Sequence, residues 1–453
     1  MKNPILTLLF IFTFNAVCIN CLAQKENKKP NVLIIYTDDQ GAVDLNCFGA
    51  KDLKTPNLDK LAKNGLMFNQ FYAASPICSP SRASLLTGRY PQRAGLPDMA
   101  SSKEGEAGMS GSQYTMAELF KDAGYKTAHI GKWHVGYTPE TMPNQQGFDY
   151  SFGFMGGCID NYSHFFYWAG ANRHDLWKNG KETYEPGKYF PDLMVREANQ
   201  FIEENKEEPF FLYFPINIPH YPLQPETKWL DYYKNLKSPR DKYAAFISTM
   251  DEKIGLVIDK LRSLKLLENT IVVFQSDQGF SEEERTFGGG GSAGIYRGSK
   301  YSLFEGGVRV PAIISWPGKI PVNETRNQLC TNIDWFPTLA ELCDIKLPSS
   351  KIDGKSMVPV IKSSKSVSPH DAFYWQSRET KQGGLQWAVR EGDWKLMHNP
   401  FQSKSGELTK DKLFLVNMRD DPAESKNLAD QNPEKVQLLT QKYKQWIGEV
   451  YEQ

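Results

Sequence analysis

Val32-Leu33-Ile34-Ile35-Tyr36 is an unbroken run of apolar and β-branched residues near the start of the chain. Such a run is typical of a strand that is buried on both faces of a parallel sheet. Similar runs recur at residues 127–130, 209–216, 270–274 and 310–314. Helical patterns lie between them, at residues 55–61, 116–123, 191–204 and 243–264. This alternation predicts an α/β fold in which a large, mostly parallel sheet is flanked by helices.

The sequence changes character after residue 347, where a stretch rich in Lys and Ser begins. Short strand-like runs follow at residues 372–376 and 386–397, and a helical pattern covers residues 433–451. We therefore expect residues 24–347 to form the main α/β domain and residues 348–453 to form a smaller α+β subdomain.

The N-terminus has the features of a secretory signal. Lys2 precedes an apolar run at residues 5–14, and Cys21-Leu22-Ala23 offers small residues for cleavage. We expect residues 1–23 to be removed after Ala23 and the protein to be exported, to the periplasm or the medium. The apolar run is shorter than the roughly 20 residues that span a bilayer, so no integral membrane segment is expected after cleavage. A retained anchor, or lipidation at Cys18 or Cys21, is the alternative.

Charge is balanced over the whole chain, with 53 Lys and Arg residues against 53 Asp and Glu residues and a formal net charge of +0. This balance gives no whole-protein electrostatic reason to bind nucleic acid or a membrane surface. Any site that binds an anion must therefore be local.

Seven cysteines are present, and two of them fall in the predicted signal. The remaining five are Cys47, Cys78, Cys158, Cys330 and Cys343. One disulfide is possible, with Cys330 and Cys343 the nearest pair in sequence, but the connectivity cannot be deduced from spacing. The sequence has no closely spaced Cys and His quartet of the zinc type.

Polar groups follow four of the predicted strands, in the segments 37–40, 131–134, 219–220 and 276–279. Because ligands bind at the carboxyl ends of strands in open α/β sheets, these groups predict one polar site. The oxygen-bearing side chains of this site are Asp38, Asp39, Asp277 and Gln278. Oxygen ligands of this kind favour Ca²⁺ or Mg²⁺ rather than zinc. Taken singly, each segment also fits a turn, a helix cap or a structural histidine.

A thiol precedes one of the helical patterns. In Cys78-Ser79-Pro80-Ser81-Arg82, the proline suits a first helical turn, and Gly88 is placed to end the helix. Cys78 would then lie at a helix N-terminus, where backbone N–H groups and the helix dipole favour an anion. Arg82 follows one turn later and would face the same place. The alternative is a buried thiol before an ordinary helix.

Cys78-x-Pro80-x-Arg82, extended through Leu85-x-Thr87-Gly88-Arg89, resembles the modification signature of the formylglycine-dependent sulfatase family of the alkaline-phosphatase-like superfamily. Gly131-Lys132-Trp133-His134-x-Gly136 is similar to the second signature of that family. Further matches in chain order are Asp38-Asp39, Pro219-His220, Ser276-Asp277-x-Gly279, Lys300, Glu305-Gly306-Gly307-x-Arg309, Arg390-x-Gly392-Asp393-Trp394-Lys395 and Asp421-Pro422-x-Glu424. One departure is Gln278, where members commonly carry Asn, although an amide oxygen is kept.

The resemblance implies a mechanism and its cofactors. A formylglycine-generating enzyme would oxidise Cys78 to an aldehyde, which would then be hydrated. One hydroxyl of the hydrate would attack the sulfate sulfur. The implied Ca²⁺ ligands are Asp38, Asp39, Cys78, Asp277 and Gln278. The implied charge-neutralising residues are Arg82, Lys132 and Lys300. His220 would protonate the departing oxygen, and His134 would take the proton of the second hydroxyl, so that the aldehyde is regenerated.

The segment Asp160-Asn161-Tyr162-Ser163-His164, with Arg173 nearby, lies where the substrate loops of the family usually lie. Asp160, His164 and Arg173 are therefore candidate substrate contacts, and a packed surface loop is the alternative. We expect a sulfuric ester hydrolase that acts on a sulfated polysaccharide or oligosaccharide. Two alternatives are a phosphate or phosphonate monoester hydrolase with the same nucleophile, and a non-catalytic binder of sulfated glycans in which Cys78 stays a thiol.

Overall fold

The computed structural model describes residues 28–168, 170–377, 384–402 and 407–451. The predicted signal at residues 1–23 lies outside the described residues. Among the helices within those ranges, none combines the length and the apolar character needed to cross a bilayer.

Twenty strands are described. In chain order they are β1 (Asn31–Thr37), β2 (Leu66–Phe68), β3 (Phe71–Tyr72), β4 (Lys126–Lys132), β5 (Tyr150–Phe154), β6 (Phe165–Phe166), β7 (Arg173–His174), β8 (Trp177–Lys178), β9 (Lys181–Glu182), β10 (Phe210–Phe214), β11 (Thr270–Ser276), β12 (Ala312–Ser315), β13 (Glu324–Arg326), β14 (Cys330–Thr331), β15 (Ala372–Ser377), β16 (Gln386–Glu391), β17 (Trp394–His398), β18 (Phe401–Gln402), β19 (Glu407–Leu408) and β20 (Leu413–Asn417).

The α-helices of the described residues are α1 (Pro56–Lys63), α2 (Cys78–Thr87), α3 (Met116–Asp122), α4 (Phe190–Glu204), α5 (Thr227–Tyr233), α6 (Arg240–Ser263), α7 (Glu305–Val308), α8 (Trp335–Leu342), α9 (Val358–Lys362) and α10 (Pro433–Tyr451). Short 3₁₀ helices are found at Asn46–Phe48, Pro139–Thr141, Pro143–Gln145, Leu267–Asn269, Glu284–Thr286 and Asn332–Asp334.

The main sheet has ten strands in the order β13-β2-β12-β11-β1-β10-β4-β5-β8-β9. Its centre is parallel: β1 pairs with β10 and β11, β10 with β4, and β4 with β5. Antiparallel pairs lie toward both edges, where β12 pairs with β11 and β8 with β5. The predicted fold class is therefore confirmed. The apolar run at residues 310–314 forms an antiparallel strand, because strand direction depends on the connecting segment and not on apolar composition.

Helices cover both faces of this sheet because the side chains of each central strand alternate between two cores. Val32, Ile34 and Tyr36 of β1 belong to a core that also contains residues of α2, α3, α8 and α9. Leu33 and Ile35 belong to the opposite core, with residues of α1, α4 and α6. A strand buried on both faces needs apolar residues at every position, as in the observed β1.

A second, antiparallel sheet is formed by β15-β16-β17-β20 near the end of the chain. Its apolar residues share one core with α10 and with Tyr72, Tyr90 and Phe304 of the preceding chain. Val360 and Ile361 of α9 instead pack into a core of the main sheet. The division at residue 347/348 remains a prediction.

All five cysteines within the described residues are free. The disulfide considered between Cys330 and Cys343 is therefore not formed. Both residues are buried in the core that contains Trp335 and Phe336, where they serve as small apolar side chains.

A buried ion cluster connects the second sheet to α7 and β3. Lys395 Nζ on β17 lies 2.9 Å from Glu305 Oε1 at the start of α7 and 2.9 Å from Glu424 Oε1. The Glu305 backbone N–H donates to Glu424 Oε2 at 2.6 Å, and Tyr72 donates to Glu305 Oε2 at 2.7 Å. Burial raises the pKa of Glu424 to about 7. Two carboxylates in this cluster thus depend on shared positive charge.

Lys395→Met removes the ammonium group that Glu305 and Glu424 share while keeping an unbranched side chain. Because breaking a buried ion pair leaves an uncompensated charge, we expect the free energy of unfolding to fall by about 3 kcal/mol. Urea titration followed by tryptophan fluorescence measures this change. Lys444→Met, at an exposed position of α10, is the matched control, with an expected change within about 0.5 kcal/mol. Equal stability of the two variants would contradict the assigned role of the cluster.

Candidate active site

The carboxyl ends of the central strands bring the predicted polar residues together. Asp38 and Asp39 directly follow β1, and Asp277 and Gln278 directly follow β11, its parallel neighbour. Lys132 is the last residue of β4. All five side chains are buried. The sequence-based expectation that distant segments meet at one sheet edge is met for these residues.

The backbone fixes the spacing of the two acidic segments. Asp277 N–H donates to the Thr37 carbonyl at 3.0 Å, and Asp39 N–H donates to Asp277 Oδ1 at 3.1 Å. Asp39 adopts a left-handed conformation, with φ of 62°. Gly279 is required because a Cβ there would lie 1.9 Å from the Gly306 carbonyl oxygen. The turn after β11 is therefore packed directly against the backbone of α7.

Three cations hold the three carboxylates. Lys132 Nζ lies 2.8 Å from Asp38 Oδ2, and Lys300 Nζ lies 2.9 Å from Asp39 Oδ2. Arg82 Nη2 lies 2.8 Å from Asp277 Oδ2 and 3.3 Å from Asp38 Oδ1. The guanidinium of Arg82 also packs over the Tyr36 ring, 5.5 Å from its centroid. Arg82 is fully buried behind the carboxylates, so its direct partners are Asp38 and Asp277.

The pKa values of the three carboxylates differ, although three cations surround them. Burial opposes ionisation of Asp38, but Lys132 and other nearby cations hold its pKa below the ordinary value. Burial raises the pKa of Asp39 well above its ordinary value. Burial, together with repulsion from Asp38, raises the pKa of Asp277 to about 7. A further cation among these oxygens would relieve the repulsion.

The donor set fits a hard cation. One ligand atom each from Asp38, Asp39 and His220 lies within 4.8 Å of the others, and all three residues are buried. Gln278 donates a hydrogen bond from Nε2 to Asp39 Oδ1, while its Oε1 is buried without a hydrogen-bond partner among the described residues. Carboxylate and amide oxygens suit Ca²⁺ or Mg²⁺. His220 is an additional candidate ligand that the sequence indicated only as a proton donor.

The two histidines of the site differ in their surroundings. His220 Nδ1 donates to the Tyr221 carbonyl at 2.8 Å, and its Nε2 lies 3.6 Å from Asp39 Oδ2. His134 has φ of 56°, and neither of its ring nitrogens has a hydrogen-bond partner among the described residues. Burial lowers the pKa of both rings. Burial therefore favours the neutral form of both rings.

Cys78 is the first residue of α2 and is 1% exposed. Ile77, which precedes it, is extended and provides no side-chain cap, and Gly88 ends the helix with φ of 65°. The predicted position of Cys78 at a helix N-terminus is confirmed. A charge on residue 78 would interact with those of Asp39, Asp277 and Lys300, so this residue lies close to the cluster of carboxylates and cations.

The three candidate substrate contacts lie between β5 and α4. Asp160 is fully engaged in its own loop, since Oδ1 accepts from Ser163 N–H at 2.8 Å and Oδ2 accepts from Gln224 at 2.7 Å. His164 is buried, with Nε2 2.9 Å from the Lys188 carbonyl. Arg173 donates to the Ser102 carbonyl. A Cβ on Gly157 would lie 3.2 Å from Ser102 Oγ and would also contact the ring of His134. Ser102 is therefore close to His134, and Arg173 is the candidate substrate contact that is linked to the site.

Several supporting residues were not singled out from the sequence. Ser81 Oγ donates to the Asp277 carbonyl at 2.6 Å, and Asn332 Nδ2 donates to the Ser81 carbonyl at 2.9 Å. Tyr221 and Arg285 extend from His220 toward the surface. Ser81 lies inside the quoted motif and Tyr221 directly follows His220. Neither Asn332 nor Arg285 lies in a motif or next to a residue that the sequence singled out.

Comparison with known proteins gives the family. A family model described as Sulfatase matches residues 30–345, and one described as N-sulphoglucosamine sulphohydrolase, C-terminal, matches residues 293–453. The chain belongs to the sulfatase family and is a sulfuric ester hydrolase with an alkaline-phosphatase-like fold.

Individual relatives agree with this assignment. The chain is 34% identical over 373 residues to N-acetylgalactosamine-6-sulfatase of Sus scrofa, covering 77% of this chain and 68% of that protein. It is 30% identical over 456 residues to arylsulfatase A of Homo sapiens, covering 91% and 87%. The crystal structure of Ps i-CgsB in complex with k-i-k-neocarrahexaose is similar at TM-score 0.84 and 30% identity, covering 92% and 93%.

Arg82→Met leaves Asp38 and Asp277 buried without their shared guanidinium. We expect a loss of about 3 kcal/mol in the free energy of unfolding, because the carboxylates cannot be rehydrated in the folded state. Denaturant titration measures the loss, and Arg419→Met, at an exposed position, is the control. A variant as stable as the wild type would show that the carboxylates do not depend on Arg82.

Proposed function

We propose that this chain hydrolyses sulfate esters of carbohydrates with a formylglycine made from Cys78 and a bound Ca²⁺ ion. The observation that carries the proposal is the buried thiol at the start of α2, which lies close to the buried carboxylates of Asp39 and Asp277. Membership of the sulfatase family supports it.

Asp38, Asp39, Asp277 and Gln278 would hold the calcium ion, with residue 78 and His220 beside them. When bound, the ion would neutralise charge on the sulfate oxygens. When oxidised by a formylglycine-generating enzyme, residue 78 would supply a nucleophilic hydroxyl on a carbon that can re-form its carbonyl, which a thiol cannot do. Gln278 keeps the amide oxygen that this donor set needs.

The cations of the site have two roles in this proposal. Lys132 and Lys300 lie on either side of the carboxylates and add positive charge where a sulfate group would bind. Arg82 contacts Asp277 and Asp38, so it acts as a positioning residue that holds the oxygen donors in place.

Proton transfer is assigned to the two histidines. The hydrogen bond from His220 Nδ1 to the Tyr221 carbonyl fixes the ring, and Nε2 of the imidazolium form would give its proton to the departing sugar oxygen. Burial lowers the pKa of His220, and the negative charge of Asp38 favours the protonated ring. His134, with both nitrogens buried and without a described partner, would accept the second proton.

The substrate class follows from the relatives. The Sus scrofa protein is named for a sulfated amino sugar, and Ps i-CgsB was crystallised with neocarrahexaose. We therefore propose a sulfated polysaccharide or oligosaccharide, including glycosaminoglycan-type sugars, as the substrate. Of the candidate contacts, Arg173 is retained, because it contacts Ser102 beside Gly157 and His134, whereas both carboxylate oxygens of Asp160 already accept hydrogen bonds and His164 is buried. Export to the periplasm or the medium remains part of the proposal.

Mass spectrometry of the peptide that contains Cys78, from protein made in its own host, tests the nucleophile. We expect a loss of about 18 Da relative to cysteine, which is the change from thiol to aldehyde. Cys78→Ala is expected to abolish turnover of an aryl sulfate while leaving the unfolding transition intact.

An unmodified thiol in active native protein would contradict the proposed nucleophile, as would near-normal turnover by Cys78→Ala. Aryl phosphate is the control substrate for the wild type. A strong preference for aryl phosphate would favour a phosphate or phosphonate monoester hydrolase.

Asp277→Asn tests the metal site by a measurement that does not depend on activity. We expect calcium content to fall from about one ion per chain to a small fraction, because a buried charged oxygen donor is lost. Elemental analysis of dialysed protein measures it, and Asp52→Asn at a partly exposed position is the control. Unchanged calcium in Asp277→Asn would place the ion elsewhere.

A further inference from the structure

A short series of contacts leads from His220 to the protein surface. The ring of His220 lies 4.1 Å from that of Tyr221, centroid to centroid. The Tyr221 hydroxyl accepts a hydrogen bond from Arg285 Nη1 at 2.9 Å, and the guanidinium lies over the same ring at 5.5 Å. His220 and Tyr221 are 4% and 8% exposed, whereas Arg285 is exposed. Arg285 is therefore the solvent end of this series.

Tyr221 is held by a small cluster of its own. Cys158, Phe166 and Tyr221 are buried together, and Trp168 packs against them. The rings of Trp168 and Tyr221 lie 5.6 Å apart, and those of Phe166 and Trp168 lie 5.7 Å apart. We call Phe166, Trp168 and Tyr221 the aromatic wall. Packed rings of this kind form a rigid surface with defined positions for polar groups at its rim.

The charge of Arg285 is left available at that rim. In the ranges that the structure describes, Arg285 makes no ion pair with a carboxylate, unlike Arg82. The nearby carboxylate of Glu283 accepts from Ser281 Oγ at 3.0 Å and lies 3.8 Å from Lys300 Nζ. Because Tyr221 takes one N–H group of the planar guanidinium, the remaining N–H groups can bind a planar or tetrahedral anion bidentately.

We propose that Arg285 is a specificity-determining residue that binds a second anionic group of the substrate, either a carboxylate or a further sulfate. This inference rests on the proposed function, in which His220 gives its proton to the departing sugar oxygen. The departing sugar then lies on the His220 side of the site, next to Tyr221. An anionic group on that sugar, or on its neighbour in the chain, meets Arg285. The preferred substrates are accordingly sugars with two anionic groups near the scissile ester.

Binding in the Cys78→Ala background tests this role without turnover. The probes are three sulfated disaccharides that differ in one sugar, which is neutral, carries a carboxylate, or carries a second sulfate. Calorimetry gives the Kd of each. We expect Arg285→Gln to weaken binding of a doubly anionic disaccharide by about tenfold more than it weakens the neutral one. Arg285→Lys is expected to restore part of the difference.

The matched control is Arg262→Gln, because Arg262 is exposed and pairs with Asp259 on α6. In Arg262→Gln, the ratio of the Kd values of the doubly and singly anionic probes is expected to be the same as in the protein that keeps Arg262. The probe that loses affinity in Arg285→Gln identifies the second group as a carboxylate or a sulfate. If Arg285→Gln weakens binding of all three probes equally, Arg285 only supports Tyr221. If it weakens binding of none of them, Arg285 does not contact the substrate. Either result overturns the proposal.

Failure of the proposed function gives a different result. Wild-type protein that does not hydrolyse any of the three disaccharides or an aryl sulfate would count against the proposed function. The Kd ratios of Arg285→Gln would still decide whether Arg285 recognises a second anion.

Discussion

Burial of three carboxylates at one edge of the sheet is the constraint on which the rest of the site depends. A cluster of buried carboxylates is stable only if positive charge surrounds it. The chain supplies that charge from three separate elements. Arg82 comes from α2, Lys132 from the end of β4 and Lys300 from the segment before α7. The end of β4, the start of α2 and the segment before α7 must therefore all lie next to the three carboxylates.

Much of the main sheet was predictable because its central strands are buried on both faces. The runs that begin at Val32 and Thr270 became β1 and β11 with nearly the expected bounds. β5 was missed since Ser151 and Gly153 interrupt its apolar pattern, and β2 and β13 are only three residues long. Whether a strand runs parallel or antiparallel depends on contacts distant in sequence. For that reason β12 could not be oriented from its composition.

The site was predictable to the extent that its residues follow strands or belong to local motifs. Asp38, Asp277 and Lys132 meet because parallel strands end at one edge of the sheet. The partners of Arg82 could not be predicted in the same way, since they depend on how α2 packs. Arg285 lies in a loop with no periodic pattern, and only the fold brings it to Tyr221. Long-range side-chain contacts of this kind leave no mark in a single sequence.

The ion cluster around Lys395 also joins residues that are synthesised far apart in time. The segment that carries Lys300 leads into Glu305, whose charge partners Lys395 and Glu424 are made near the end of translation. That same segment closes over the start of α2, where the Tyr301 N–H donates to the Pro76 carbonyl at 2.9 Å. The contacts that hold this segment in place are therefore complete only once β17 and Glu424 have been made.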